Sequence, residues 1–518
     1  MKLPRPVACR AWLALLSLIA PPGPVGAAAP GTTATVVTTA GTVAGSNGEI
    51  QSFKGIPYAA PPVGPLRWRP PEPAVAWRGV RDATRFGDDC MQTPYVIPTG
   101  QKASEDCLTV SVWTPAHAPG AHRPVMVFVY GGGFIGGSSA YPLYDGTQLA
   151  TAGVVVVSFN YRVGIFGFLA HPMLSAESPR HASGNYGLLD QIAALQWVRA
   201  NIAAFGGDPQ RVTVFGESAG AASIAVLMTS PVANGLFRQA ILHSPVVPPL
   251  ASLAEAEQSG AALGADLAAL RRLSAADLLA HNSDFFPRRL GSTLTPMAFP
   301  APIIDGYVVP AQPRAAFEAG TMNAVPAIVG IAADEGRMFS AGHSVASYQA
   351  WVRNNFGPLS DKLLALNPAA TDAAATAAAS TILGDALFGE SARLIARGLS
   401  RHQPKTFFYL FSRGVGGRAQ PATHSEVLPF LFGTLDKPSF IPHSPPEPTD
   451  LQLSTTLRQA WARFATSGDP NGAGLPDWPR YERASDPYLE FGTRIRVGHA
   501  YHREQLDALA PFYAGKEP

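Results

Sequence analysis

The chain has 518 residues, of which 47% are hydrophobic and 15% charged, and its formal net charge is +2 at pH 7. That is apolar material enough for a large core, and charged residues are scarcer than the roughly 25% of an average soluble protein. A near-zero net charge without a long basic run gives no basis for nucleic-acid binding or for steering toward an acidic partner.

The chain opens with Lys2, Arg5 and Arg10 ahead of an apolar run, "AWLALLSLIA" (11–20), and a small-residue stretch, "PVGAAAP". Residues 1–28 therefore read as a secretory signal peptide cleaved near Ala27–Ala29, which predicts a secreted or periplasmic protein. The apolar run is too short to span a bilayer, and no other run is long enough for a transmembrane helix. Cys9 leaves with the signal. The mature chain keeps Cys90 and Cys107, an even pair expected to form a disulfide in an oxidising compartment. Residues 29–518 have no convincing internal boundary and are read as one domain.

Past the signal, "TATVVTTAGTVAG" (33–45) and "CLTVSVWTP" (107–115) alternate apolar and polar residues, as antiparallel strands with one wet face do. Later runs are nearly all apolar: "VMVFVY" (125–130), "VVVVS" (154–158), "VTVF" (212–215), "AIVGI" (327–331) and "KTFFYLF" (405–411). These read as strands buried on both faces, as in a parallel sheet. Helical patterns lie between them. Leu189, Ile192, Leu195, Val198 and Ile202 form an apolar stripe that predicts a helix packed on the sheet. Residues 452–468 predict another helix, ending at Gly468, and an alanine-rich stretch (367–383) a third. Alternating strands and helices define an α/β class, with a mixed sheet covered on both faces. Insertions around 250–300 and 340–400 are expected to form a helical cap.

"RVTVFGESAGAASIA" (211–225) is the most informative stretch. A strand runs into Gly216-Glu217-Ser218-Ala219-Gly220, and a helix begins at once, which is the context that a G-x-S-x-G elbow requires. Small residues beside Ser218 permit a strained turn, and the turn stands the hydroxyl clear of the sheet. A serine needs a base, and the base an orienting acid, on loops after later strands. "AADEG" follows "AIVGI" and offers Asp334 or Glu335, which spacing alone does not separate. Among the later histidines, His402 precedes "KTFFYLF" and falls at the wrong end of the sheet. His424 follows that strand, with His443 as second choice. Upstream, "VMVFVYGGGFIGG" ends a strand in Gly131–Gly133. Although "GGGFIG" fits a dinucleotide-binding pattern, turn-rich sequence follows it where a phosphate-cradling helix should start. It reads instead as backbone N–H groups converging on an acyl tetrahedral intermediate.

With these residues in hand, the chain resembles the type B carboxylesterase family, the cholinesterase-like branch of the α/β-hydrolases. The resemblance runs through "FKGIPYAAPPVGPLRWRPP" (53–71), "SEDCLTVSVWTP" (104–115), "YGGGF" (130–134), "FNYRVGIFGFL" (159–169) and "GNYGLLDQIAALQWVRANIAAFGGDP" (184–209). It continues through "VTVFGESAG" (212–220), "ADEG" (333–336), "ATH" (422–424) and "GDPN" (468–471). It implies an α/β-hydrolase fold with a mostly parallel central sheet, Ser218 as nucleophile, Glu335 as acid and His424 as base. The same resemblance implies oxyanion donors at Gly132, Gly133 and Ala219, a buried supporting role for Glu217, and pairing of Cys90 with Cys107. No metal or organic cofactor is implied.

Two departures bear on the substrate. The loop "MQTPYVIPTGQKASED" (91–106) lacks the tryptophan that holds choline in cholinesterases, which argues against quaternary ammonium esters. "LHSPVVPP" (242–249), "AALRRLSAADLL" (268–279) and "GIAADEGRMFS" (330–340) resemble bacterial fumonisin-type esterases, which strip tricarballylate from a mycotoxin polyester. After His424, Glu426 stands two positions on, where the family usually has an acid at three. The expectation is a carboxylic-ester hydrolase acting on a small-molecule ester. The alternatives are a specialised mycotoxin esterase and a non-catalytic cholinesterase-like binding module.

Overall fold

A computed structural model of the chain describes residues 33–93, 97–116, 120–281 and 301–514. The signal-like segment 1–28 lies outside the described residues.

Twelve strands lie side by side: β1 (Thr33–Val37), β2 (Thr42–Ser46), β3 (Ile50–Pro57), β4 (Thr109–Pro115), β5 (Arg123–Val129), β6 (Val155–Phe159), β7 (Gly207–Glu217), β8 (Gln239–His243), β9 (Ala327–Ala332), β10 (Thr406–Phe411), β11 (Pro487–Phe491) and β12 (Ile495–His499). Their order across the sheet is β1-β2-β3-β4-β6-β5-β7-β8-β9-β10-β11-β12, and a short strand, Val80–Asp82, joins β2. Every pair from β6 through β11 is parallel. The pairs from β1 to β6 are antiparallel, as is β11–β12. The composition of the strands explains this division. All five residues of β6 and all six of β9 and β10 are buried, so both faces must be covered, as a parallel sheet with crossover helices provides. In β1, by contrast, Val36 is buried while Val37 is exposed.

The helix α1 (Tyr186–Asn201) starts earlier than its stripe predicts and is buried on more than one side, Asp190 and Gln191 included. A second layer covers its outer face: the short helix Gly164–Phe168 packs on it, and Arg162 forms a buried fork on Asp190 at 2.7 and 2.8 Å. A paired and hydrogen-bonded carboxylate can be buried, and so the polar positions escaped an amphipathic pattern. α2 (Ala219–Thr229) follows β7 directly. α3 (Asp372–Gly384) and α4 (Glu390–Leu399) are joined by a wholly buried π-turn, Asp385–Gly389. α5 (Pro448–Ser467) ends at Gly468 in a left-handed cap at φ 72°.

The insertions form helices, as expected. Leu253–Gly260, Leu267–Arg272 and Ala275–Ala280 fill the first, whose residues 282–300 lie outside the described residues. A small apolar cluster supports the last two, with Leu267, Leu270 and Leu278 packed against Trp68, Ile165 and Phe166. Arg67 staples this cluster. Its Nη1 donates to the carbonyls of Arg271 and Leu273 at the helix end (3.1 and 2.8 Å), while Nε and Nη2 grip Glu105. A guanidinium suits a helix C-terminus, where carbonyls lack partners. The second insertion is divided. α3 packs on the turn after β9, whereas α4 packs on β9 and β10 themselves and belongs to the sheet's covering layer. Cys90 and Cys107 are disulfide-bonded. No helix among the described residues is long and apolar enough to cross a membrane.

Candidate active site

Four loops at the carboxyl ends of parallel strands meet at one edge of the sheet, where open α/β sheets hold their ligands. The loop after β7 carries Ser218, at φ 55° and ψ −123°. Few non-glycine residues accept such angles, and residues held there cluster at functional sites. The flanking glycines are sterically required. A Cβ on Gly220 would lie 1.9 Å from Val129 O, and one on Gly216 would lie 2.8 Å from the same oxygen. The Ser218 N–H donates to His243 O at 3.0 Å, which ties the turn to β8.

The loop after β5 passes directly over this turn. A Cβ on Gly131 would lie 2.9 Å from the Cβ of Ser218, so only a bare backbone can approach so closely. Gly132 and Gly133 have φ 110° and 61°. Their N–H groups, and that of Ala219 at the start of α2, meet no hydrogen-bond acceptor among the described residues. The three residues named from sequence thus supply unpaired donors around the elbow.

The loops after β9 and β10 are joined to each other. Asp334 N–H donates to Ala422 O at 2.9 Å, and Thr423 Oγ1 donates to Asp334 O at 2.8 Å. This clip brings Glu335 Oε2 to 2.6 Å from His424 Nδ1, both side chains buried. Of the two acids, Glu335 is the one that meets the histidine. Asp334 points elsewhere, accepting from Ser380 Oγ at 2.7 Å and lying 3.4 Å from Arg337 Nε. His402 is exposed and lies before β10. His443 Nδ1 meets only the carbonyl of Ser444 among the described residues. Neither joins the cluster.

Four supporting residues were not legible as such in the sequence. Ser244, at the end of β8, donates its hydroxyl to Glu335 Oε1 at 2.5 Å, and Ala332 N–H donates to the same oxygen at 2.6 Å. The available signal was position, since Ser244 is a polar residue at the carboxyl end of a strand between nucleophile and acid. Glu426 accepts Thr423 N–H at 2.7 Å and an Arg418 guanidinium at 2.5 Å, so an acid two positions after His424 braces the loop. Phe388, held in the π-turn, and Phe339 pack on the imidazole with ring centroids 4.4 and 5.1 Å away.

Glu217 has the most consequential contact. Its Oε1 lies 3.0 Å from His424 Nε2 and accepts the Ser425 hydroxyl at 2.7 Å. With Nδ1–H given to Glu335, the 3.0 Å contact at Nε2 suits the doubly protonated imidazolium, which donates to both carboxylates. Burial works against charge on His424, but the carboxylates of Glu217 and Glu335 outweigh it and hold the imidazole above its usual range. Burial also pushes the Glu217 carboxyl up, with His424 and Ser425 opposing. No hydrogen bond joins Ser218 and His424 among the described residues; Nε2 is occupied by Glu217. A base must be neutral to accept a proton, so this arrangement moves the acid limb of any pH–activity profile upward. Glu217→Gln removes one of the two carboxylates and is expected to shift that limb of kcat/KM to lower pH. An unmoved limb would show that Glu217 does not stabilise the imidazolium.

A sheet of this order, with a serine elbow after β7, defines an α/β-hydrolase. The model of the carboxylesterase family matches residues 32–509, and the chain belongs to that family of carboxylic ester hydrolases. It is 42% identical over 485 residues to the fumonisin B1 esterase of Sphingopyxis macrogoltabida, covering 92% of this chain and 89% of that one. It is 36% identical over 478 residues to the para-nitrobenzyl esterase of Bacillus subtilis (strain 168), covering 89% and 95%. A solved para-nitrobenzyl esterase structure superposes with a TM-score of 0.79 at 35% identity, over 92% of this chain and 100% of that one.

Proposed function

We propose that this carboxylesterase works through an acyl-enzyme on Ser218, with His424 as base and Glu335 as orienting acid. The supporting observation is the 2.6 Å Glu335–His424 pair beside a serine held at positive φ. Ser218 Oγ attacks the acyl carbon and passes its proton to His424 Nε2 once that atom has left Glu217. The N–H groups of Gly132, Gly133 and Ala219 bind the oxyanion. Collapse expels the alcohol, protonated by His424. Water, deprotonated by the same nitrogen, then attacks the acyl carbon and releases the acid and Ser218. Glu335 fixes the imidazole tautomer throughout.

The N-terminal pattern and the Cys90–Cys107 bond support export through residues 1–28 and a secreted or periplasmic location for a single domain, 29–518. The 42% identity to a fumonisin B1 esterase favours a second, narrower reading, in which the natural substrate is a polyester bearing tricarballylic side chains. A p-nitrophenyl phosphonate tests the chemistry. Its adduct, located by mass spectrometry, is expected on Ser218, and labelling elsewhere would refute the nucleophile. Release of tricarballylate at no measurable rate, beside brisk p-nitrophenyl butyrate hydrolysis, would exclude the narrower reading alone.

A further inference from the structure

The loop closed by the disulfide also reaches the glycine loop. Gln92 is buried, and its carboxamide lies against the backbone of Gly137. Oε1 accepts the Gly137 N–H at 2.7 Å, and Nε2 donates to Gly137 O at 2.8 Å and to Cys90 O at 3.0 Å. Next to it, Asp89 Oδ1 accepts the Ser138 hydroxyl at 2.5 Å, and Thr99 Oγ1 holds its other oxygen. Both ends of the Gln92 carboxamide are therefore committed to the N–H and C=O of one residue, as a neighbouring strand would be.

What Gly137 touches gives this clamp its consequence. A Cβ on Gly137 would lie 2.6 Å from Gly131 O, and a Cβ on Gly132 would lie 2.2 Å from Gly136 O. Backbone meets backbone across the loop, and the buried Tyr130 ring, 2.5 Å from the same Cβ position on Gly137, leaves no room to absorb a displacement. Close-packed interiors transmit such shifts, so movement at Gly137 reaches Gly131 to Gly133.

We propose that Gln92 is a positioning residue: through Gly137 it fixes the aim of the Gly132 and Gly133 N–H groups at the acyl oxygen. The disulfide loop then belongs to the catalytic apparatus as well as to the fold. This rests on the reading of Gly132, Gly133 and Ala219 as oxyanion donors. If Gln92 merely held two loops together, its loss would lower stability and leave the barrier of the chemical step unchanged. As a positioning residue it affects the transition state, where the oxyanion is fully formed, more than the bound ester.

Gln92→Met keeps the length and removes the hydrogen bonds. In the full chain, kcat for p-nitrophenyl butyrate is expected to fall about 10-fold to 100-fold, the order expected from misplacing a catalytic group by about 1 Å, with KM within about twofold. The Ki of a trifluoromethyl ketone, whose adduct carries the same oxyanion, should rise by a matching factor. Gln92→Glu is the second variant. Its carboxylate repels Gly137 O, whereas its protonated form again offers one donor and one acceptor, so its activity relative to the parent should rise as pH falls. A folded Gln92→Met with parental kcat and Ki would overturn the proposal. Should Gln92→Met not fold, a pH-independent ratio for Gln92→Glu would overturn it. Parental turnover in Ser218→Ala would instead overturn the underlying reading, whatever Gln92 does.

Discussion

Ser218→Ala is expected to lower kcat for p-nitrophenyl butyrate by about 10⁶-fold, the loss seen when a hydrolase nucleophile is deleted, without unfolding the chain. Serine and alanine share a Cβ, so the cost of φ 55° is the same for both. The hydroxyl has no hydrogen-bond partner among the described residues, so its removal orphans nothing. Residual activity about 10³-fold to 10⁴-fold above water should remain, contributed by the oxyanion donors and substrate binding. Ser218→Gly supplies the complementary measurement. Glycine accepts this backbone conformation freely, so the variant should be equally inactive yet more stable than the parent by about 1 kcal/mol, the lower end of what such strain costs. Equal turnover in Ser218→Ala and parent would remove Ser218 from the mechanism. A less stable Ser218→Gly would mean that the turn is not strained.

The parallel strands were legible because burial on both faces leaves little sequence freedom. The apolar run at 154–158 and the strand Val155–Phe159 differ by one residue at each end. The elbow was legible for a related reason, since glycines at 216 and 220 are imposed by the backbone of Val129. Helix boundaries were harder to read. A helix buried on several sides, such as α1, has no clean stripe, and its Asp190 is tolerated only because Arg162, 28 positions earlier, is folded onto it. That pairing is a property of the tertiary structure.

The same limit applied to the site. Position along the chain put an acid after β9 and a histidine after β10, but it did not separate Asp334 from Glu335. What separates them is direction: the strand-like pairing of Asp334 with Thr423 turns Asp334 toward Ser380 and Arg337, and Glu335 toward His424. Ser244 and Gln92 bond to groups 91 and 45 positions away. Serine and glutamine are common and chemically mild, so neither residue type announced its partner. The Glu217–His424 contact was likewise invisible, because it joins the end of β7 to the loop after β10 at 3.0 Å.

Glu335→Gln is expected to lower kcat by about 10⁴-fold, the scale of forcing the wrong histidine tautomer, although it changes the size of no side chain. The reason lies on the far side of the carboxylate. Glu335 Oε1 accepts from Ala332 N–H at 2.6 Å and from the Ser244 hydroxyl, while Oε2 faces His424 Nδ1. The Ala332 N–H is a fixed backbone donor and cannot reverse. A glutamine must therefore present its carbonyl oxygen to Ala332 and its NH₂ to His424. Nδ1 then becomes the acceptor and Nε2 carries the hydrogen, so the nitrogen that should take the proton from Ser218 is already protonated. Opposite placement of the amide would set NH₂ against the Ala332 N–H inside a buried site, and an unpaired buried donor costs about 1–3 kcal/mol. Asp334→Asn is the control. Its partners are Ser380 and Arg337, so kcat should stay within about twofold, the tolerance of substitutions away from such features. A Glu335→Gln variant as active as the parent, or an Asp334→Asn variant as impaired as Glu335→Gln, would reverse the assignment of the acid.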